Sequence, residues 1–220
     1  PLLTGVLFSV APVSVRVVTT DGFRLSIADF PPIAEQQPLQ FILPSRSVSE
    51  VCRIATQLKS ETVVFTVSNE LKQVFISIDG IEVYTRILEG EYPPYERIVP
   101  ALFTTEVILA GEELLEQVKR ATIFSRDTSS IVQFEITAEK MTIKASSSTL
   151  GNYVGEVESA KITGEGGTIA FKSKYILDFL QSSKQNEIWF GMSDSLKPAM
   201  FQSKDLSGYR YVVMPFRVTT

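Results

Sequence analysis

No histidine occurs anywhere in the 220 residues, and there is a single cysteine, Cys52. The first absence removes the commonest general base and the commonest metal ligand. Together the two exclude zinc sites and catalysis of the Ser-His or Cys-His kind, so no metal and no cofactor is implied. Cys52 has no partner for an internal disulfide, which fits a reducing, intracellular setting. It falls inside an amphipathic helical pattern and is expected to be a small core residue, because free cysteine is usually buried. Neither G-x-x-x-x-G-K-[ST] nor G-x-G-x-x-G occurs, so the usual nucleotide-binding loops are missing. Acidic residues are plentiful, but no two take a recognisable metal-binding or acid/base spacing. No apolar run approaches the roughly 20 residues of a membrane helix. The start, "PLLTGVLFSVAPVSVRVVTTDG", lacks the basic region of a signal peptide and reads as strands. It begins with Pro and not Met, and the chain is expected to be a fragment.

What is present is ordinary globular material: 44% apolar and 21% charged residues, with a net charge of −4. A conventional nucleic-acid binder is basic overall, so this chain could reach nucleic acid only through a local basic surface. One feature is unusual. Chain ends are commonly frayed and polar, yet this one closes on "YVVMPFRVTT".

The patterning repeats. Helical periodicity runs through "SRSVSEVCRIATQLKS", with Val48, Val51, Ile54, Ala55 and Leu58 on one stripe and Ser47 with Glu50 as a capping-box pair. It returns in "GEELLEQVKRATIFS", with Leu114, Leu115, Val118 and Thr122, and in "KSKYILDFLQSSK", with Ile176, Leu177, Phe179 and Leu180. These segments start roughly 60 to 65 residues apart, the mark of a unit used more than once. Each is followed by two alternating apolar runs with a polar turn: "TVVFTVS" and "KQVFISI", "IVQFEITAEKMTIKAS", and "EIWFGMSDSLKPAMFQS". These read as β-hairpins. "IEVYTRIL", "GNYVGEVES" and "YRYVVMPFRV" add strands, and the stretch before the first helix is strand, turn, strand and strand. The fold class is therefore α+β, in half-units of one helix plus antiparallel strands, two helices packed on antiparallel sheets per domain. The first half-unit lacks its helix. Residues 1–97 form a domain without its first strand and helix, residues 98–220 a complete one, and "EGEYPPYERIVP" supplies the junction. The apolar tail fills the last strand slot of the last half-unit.

Charge divides by element. Arg46 and Arg53 share one side of the first helix, Lys119 and Arg120 lie off the apolar stripe of the second, and Lys172, Lys174 and Lys184 flank the third. Glu82, Glu89, Glu91, Glu135, Glu156 and Glu158 lie on strands and loops. Solvated helix faces would explain this. So would a basic inner face that touches phosphates on one side only.

Three strings carry a resemblance: "TTDGFRL" (Thr19 to Leu25), "EGEYPPYERIVP" (Glu89 to Pro100) and "YVVMPFRV" (Tyr211 to Val218). In order and spacing they resemble the signature strings of the bacterial sliding clamp, the DNA polymerase III beta subunit. The resemblance covers essentially the whole chain and implies the DNA-clamp fold, with the last two of three similar domains present. It implies a non-catalytic processivity factor of DNA replication in the cytoplasm, at the nucleoid. Two chains would close head to tail into a homodimeric ring around duplex DNA, helices inside and sheets outside. Replicative polymerase, clamp loader and repair proteins would dock short peptides with apolar and aromatic anchors in a groove between the middle and C-terminal domains.

The groove positions that the resemblance carries over are Leu3, Thr20, Gly22, Phe23, Arg24 and Leu25 near the start, and Pro93, Arg97 and Ile98 at the junction. Tyr175, Leu196 and Pro198 follow, then Val212, Val213, Met214, Pro215, Phe216 and Arg217 in the tail. Arg24 and Arg97 would fix the peptide backbone or its acidic groups. Arg46, Arg53, Lys119, Arg120 and Lys174 would face DNA, and Ile123 and Phe124 would sit at the ring's subunit interface. Taken singly, most of these residues also read as core or turn positions, with Gly22 as a turn glycine and Asp21 as an Asx-turn former. The chain departs from the family pattern at Phe23, where His is usual, at Ser129, where some members place an aromatic, at Lys172, where Asn is common, and at Phe216, where Met is common. Thr219 and Thr220 extend past the usual end. Two other readings stay open. One is an enzyme using Asp21 and Arg24; the other is a β-rich interaction module with no nucleic-acid role.

Overall fold

The computed structural model describes residues 2–32, 37–127, 129–183 and 186–217. The expectations placed on Lys184, Val218, Thr219 and Thr220 lie outside the described residues. The chain forms two compact units, Pro1–Gly22 with Ile27–Pro94, and Phe23–Ser26 with Tyr95–Thr220.

In the first unit a 3₁₀ turn at Leu2–Thr4 leads into β1 (Gly5–Ala11), β2 (Ser14–Thr20), β3 (Arg24–Phe30) and β4 (Leu39–Pro44). Then come α1 (Ser45–Leu58), β5 (Val64–Ser68), β6 (Gln73–Ile78) and β7 (Ile81–Arg86). β1 is flanked antiparallel by β2 and β4, with Leu7 opposite Val18 and Ile42. β5, β6 and β7 form a second antiparallel sheet. The β6–β7 turn is Asp79-Gly80 with φ of 45° and 86°, the doubly left-handed geometry that a two-residue hairpin needs to match strand twist. α1 lays Val51 against Phe41, Leu43, Val74, Ile76 and Ile78, all buried.

In the second unit a 3₁₀ turn at Tyr95–Ile98 precedes β8 (Thr105–Ala110) and α2 (Gly111–Phe124). There follow β9 (Ile131–Ile136), β10 (Met141–Ser147), β11 (Gly151–Val157), β12 (Lys161–Gly164) and β13 (Gly167–Lys172). α3 (Ser173–Ser182), β14 (Glu187–Met192), β15 (Ala199–Ser203) and β16 (Tyr209–Val213) complete it. One sheet runs β12-β8-β14-β15-β16 and another β11-β10-β9-β13. α2 packs on α3 and on β10 and β11. Phe134, Phe171, Phe179, Phe190 and Phe201, all inaccessible to solvent, fill the centre with edge-on and tilted ring contacts.

The helices and hairpins expected from periodicity are present. Four strands were not foreseen. One is the short β12; the others, β4, β8 and β13, each run straight into a helix, with Pro44, Ala110 and Lys172 as N-caps and no loop between. The capping box on α1 does not form. Its helix begins at Ser45, so Ser47 lies inside the first turn and bonds to the Thr85 hydroxyl at 2.8 Å, while Glu50 pairs with Arg53. Cys52 is exposed, not core. It follows the buried Val51, and one residue along a helix turns the side chain by about 100°. Leu58 is likewise exposed, at the helix end where Lys59 takes a left-handed conformation.

The close of β12 depends on a glycine. Gly164 has φ of +107°, and a Cβ there would lie 1.9 Å from the Thr104 carbonyl oxygen. Gly164→Ala is expected to cost about 2 kcal/mol, since both strain and clash oppose it. Thermal unfolding checks this; a shift no larger than that of Gly151→Ala, which meets open space at the same sign of φ, would show that the clash is relieved.

Candidate functional site

Two different features bring candidate residues together in the second unit: the start of β3 and the chain's tail. Met214 N–H donates to the Phe23 carbonyl at 2.8 Å, carrying the tail one residue beyond β16. The chain then leaves that sheet, and Phe216 N–H donates to the Ala170 carbonyl on β13 at 2.7 Å. Residues 214–217 therefore satisfy backbone groups just ahead of β3 and on β13, and Met214, Phe216 and Arg217 are exposed. Phe23 is 58% exposed, Met214 37% and Phe216 40%. The expectation that all of "YRYVVMPFRV" is sheet strand is thus corrected: strand ends at Val213 and residues 214–217 form a strap.

At the near end of the strap lies a polar and aromatic cluster. Arg24 gives Asp178 of α3 a hydrogen-bonded ion pair at 2.6 Å and donates to the Tyr211 hydroxyl at 3.2 Å. Tyr211 in turn donates to the Tyr175 carbonyl at 2.9 Å. The Arg24 guanidinium lies 4.7 Å from the Tyr175 ring centre, and Phe23 stacks on Tyr175 at 6.4 Å. Lys174 also reaches Asp178, at 2.9 Å. Burial by itself would raise the Asp178 carboxyl, but the hydrogen bonds from Lys174 and Arg24 outweigh it and hold the group below the usual carboxylate range. Burial pushes the Tyr211 phenol well up, so it stays a neutral donor, with Arg24 opposing. Neither group is poised to exchange a proton near neutrality.

Further along, the strap borders two clefts. One, of about 750 Å³, is lined by Ile169 and Ala170 of β13, by Met192 and Leu196 around the β14–β15 turn, and by Phe216 and Arg217. The other, of about 540 Å³, lies over Ile131, Gln133, Lys144 and Val154 and shares Phe216 and Arg217.

The remaining candidates divide clearly. Leu25, Val212 and Val213 are buried, so they support the wall from beneath. Pro198 and Pro215 are half-buried, while Arg97 and Ile98 are exposed on their 3₁₀ turn. In the first unit, Leu3 is exposed on its own turn and Pro93 is half-buried. Gly22 adopts φ of 86°, and its N–H donates to the Thr20 hydroxyl at 3.1 Å, so Thr20 takes part in the turn. Of the basic helix residues, Arg53 pairs with Glu50, Arg120 with Glu116 and Lys174 with Asp178; all are exposed, as are Arg46 and Lys119. Ile123 is 49% exposed at the end of α2, and Phe124 stacks on Tyr153. Ser129 is exposed with φ of 60°. Asp178 and Tyr211, which hold the cluster together, had not been singled out. The signal for Asp178 was its place four residues after Lys174 on the third helix, an ion-pair spacing.

Among the described residues no helix is long and apolar enough to cross a membrane, and no three metal-ligating side chains gather. Comparison with known proteins gives a consistent picture. The family model for the DNA polymerase III beta subunit, central domain, matches residues 1–94, and that for its C-terminal domain matches residues 96–217. A beta sliding clamp from Chlamydia muridarum is 29% identical over 219 residues, covering 99% of this chain and 58% of that protein. The Thermotoga maritima DNA polymerase III beta subunit superposes with a TM-score of 0.90 at 31% identity, over 99% of this chain and 58% of that one. A Pseudomonas aeruginosa clamp bound to griselimycin superposes with a TM-score of 0.90 at 25% identity, again over 99% and 58%. The chain thus spans a little over half the length of these relatives. With the two models matching residues 1–94 and 96–217 and the fold shared, it belongs to the DNA polymerase III beta subunit family.

Proposed function

We propose that this chain is the part of a sliding clamp that receives partner proteins, and that the Phe23–Tyr175–Met214 cluster with the adjoining cleft is the docking groove. Residues 1–97 would be the middle domain without its first strand and helix, and residues 98–220 the C-terminal domain. In the whole protein the clamp would close as a homodimeric ring around duplex DNA. There it would tether the replicative polymerase, the clamp loader and repair proteins by short peptides, without catalysing a reaction. Tethering acts by raising effective concentration, so an individual peptide contact can be weak. Arg46, Arg53, Lys119, Arg120 and Lys174 would face DNA through sequence-independent phosphate contacts, and Ile123 with Phe124 would contact the next subunit.

The observation that carries the groove is the strap itself. Two exposed aromatic rings and a methionine project from backbone that is already hydrogen-bonded at 2.7–2.8 Å to fixed strands. Apolar anchors on a rigid base, next to a few polar groups, suit a peptide ligand. The test is titration of a labelled peptide of the pattern Gln-Leu-Xaa-Leu-Phe into the 220-residue chain. Affinity around micromolar, about 8 kcal/mol, is expected. Met214→Ala is expected to weaken it about tenfold by removing an exposed apolar contact without touching a buried side chain. No binding to a folded chain, or equal binding by Met214→Ala, would overturn the groove.

A further inference from the structure

Lys172 differs from Arg24 and Lys174, the other two cations beside the Phe23 and Tyr175 rings. Arg24 and Lys174 both reach Asp178, at 2.6 and 2.9 Å. Lys172 meets no carboxylate and no hydrogen-bond acceptor among the described residues; its ammonium lies only 5.9 Å from the ring centres of Phe23 and of Tyr175. The residue is half-buried. A cation within about 6 Å of two ring centres in partly desolvated surroundings gains from the ring quadrupoles. It nevertheless lacks the anion that would complete it.

Its position links this charge to the proposed groove. Lys172 is the last residue of β13 and the N-cap of α3, so its backbone is fixed at both ends. Alternation along the strand puts it on the same face as Ala170, whose carbonyl holds the strap and whose side chain lines the larger cleft. Two residues of strand separate the two positions, about 7 Å. A peptide lying along the strap from that cleft toward Phe23 would pass the ammonium.

We propose, resting on the groove reading above, that Lys172 makes this groove selective for peptides carrying a carboxylate beside their aromatic or apolar anchor. A single side-chain carboxylate fits better than a phosphate backbone. Of Arg24, Lys172 and Lys174, the cations beside the two rings, Lys172 alone has no carboxylate partner among the described residues, and Asp178 stands nearby to repel a polyanion. The ammonium would be the point charge that such a carboxylate meets, with Phe23 and Tyr175 shielding the pair from water.

The experiment is a position scan on the 220-residue chain. A peptide of the pattern Gln-Leu-Xaa-Leu-Phe carries Asp at one position at a time, each matched by its Asn counterpart, and all are titrated into the wild type, Lys172→Gln and Lys172→Arg. The wild type is expected to prefer Asp at one position by about five- to tenfold, the scale of a partly shielded ion pair. Lys172→Gln should remove that preference while leaving the Asn peptides within about twofold, and Lys172→Arg should keep it. The preference should shrink as salt rises. Persistence in Lys172→Gln, or no Asp preference anywhere while the Asn peptides still bind, overturns the role of Lys172 and leaves the groove standing. Loss of all peptides from the wild type overturns the groove, and this proposal with it. Equal competition by duplex DNA would assign the charge to phosphate and also overturn it.

Discussion

Phe134→Ala is expected to destabilise the second unit by about 3–5 kcal/mol, the range for deleting a fully buried aromatic ring. Phe134 is 0% exposed at the middle of β9, between Ile143 of β10 and Ile169 of β13. Its ring centre lies 5.3 Å from Phe171, 5.9 Å from Phe190 and 6.5 Å from Phe201, in edge-on or steeply tilted pairs. Truncation loses the transfer term and leaves a void that strands hydrogen-bonded on both sides cannot close around. Those ring pairs add about 0.5–1.5 kcal/mol each beyond area, so the upper half of the range is the better expectation. Phe134→Leu keeps most of the volume and should cost less than about 1.5 kcal/mol. Urea unfolding reads both through a lower midpoint at unchanged slope. A loss below about 1 kcal/mol for the alanine variant would mean that the five-ring core repacks, contrary to its fixed edge-on geometry.

Much of this core was legible in the alternation of residues. "IVQFEI" and "QVFISI" place apolar residues at every second position, and the structure buries Val132, Phe134 and Ile136 in one and Val74, Ile76 and Ile78 in the other. β4, β8 and β13 escaped notice because they abut helices. Where Ala110 ends a strand and Gly111 begins a helix there is no polar break, and the shift from period two to period 3.6 is easily absorbed into the longer pattern. Cys52 shows the converse limit. Periodicity identified the helix, but one residue of phase separates the buried Val51 from a solvent-facing thiol. The site was legible in part. Phe23, Arg24 and Met214 were named from the family strings and Tyr175 from the wider resemblance, and the structure brings these four candidates together. Asp178 was not, because an acidic residue on a helix gives no sign that an arginine 154 positions away will reach it. Lys172 was noted as a flanking basic residue and as a departure from the family pattern; its lack of a counter-ion is a property of packing, which no spacing encodes.

Arg24→Ala is expected to weaken peptide binding by roughly a hundredfold, about 2–3 kcal/mol, in keeping with removal of one partner from a desolvated, hydrogen-bonded charge pair. The loss has two parts. The guanidinium no longer covers the Tyr175 ring at 4.7 Å, and Asp178 keeps only Lys174 as its partner. Tyr211 still donates to the Tyr175 carbonyl, so the strand itself should persist. Arg24→Lys restores the charge but not the planar donor that bonds Asp178 and Tyr211 while stacking on Tyr175, and should recover little. The pH dependence separates this from simple loss of packing. Asp178 is held below its ordinary carboxylate range in the folded chain. Its paired charge therefore adds stability in full above the unfolded value near pH 4, and loses it as pH falls through the depressed folded value. Without Arg24 the depression is smaller, so the stability gap between wild type and Arg24→Ala should be widest at neutral pH and narrow as pH drops below about 4. In an Asp178→Asn background the same substitution should show a smaller gap that does not vary over that interval. A gap independent of pH in both backgrounds would mean that Arg24 acts through its stem and the ring beneath it, with the ion pair incidental.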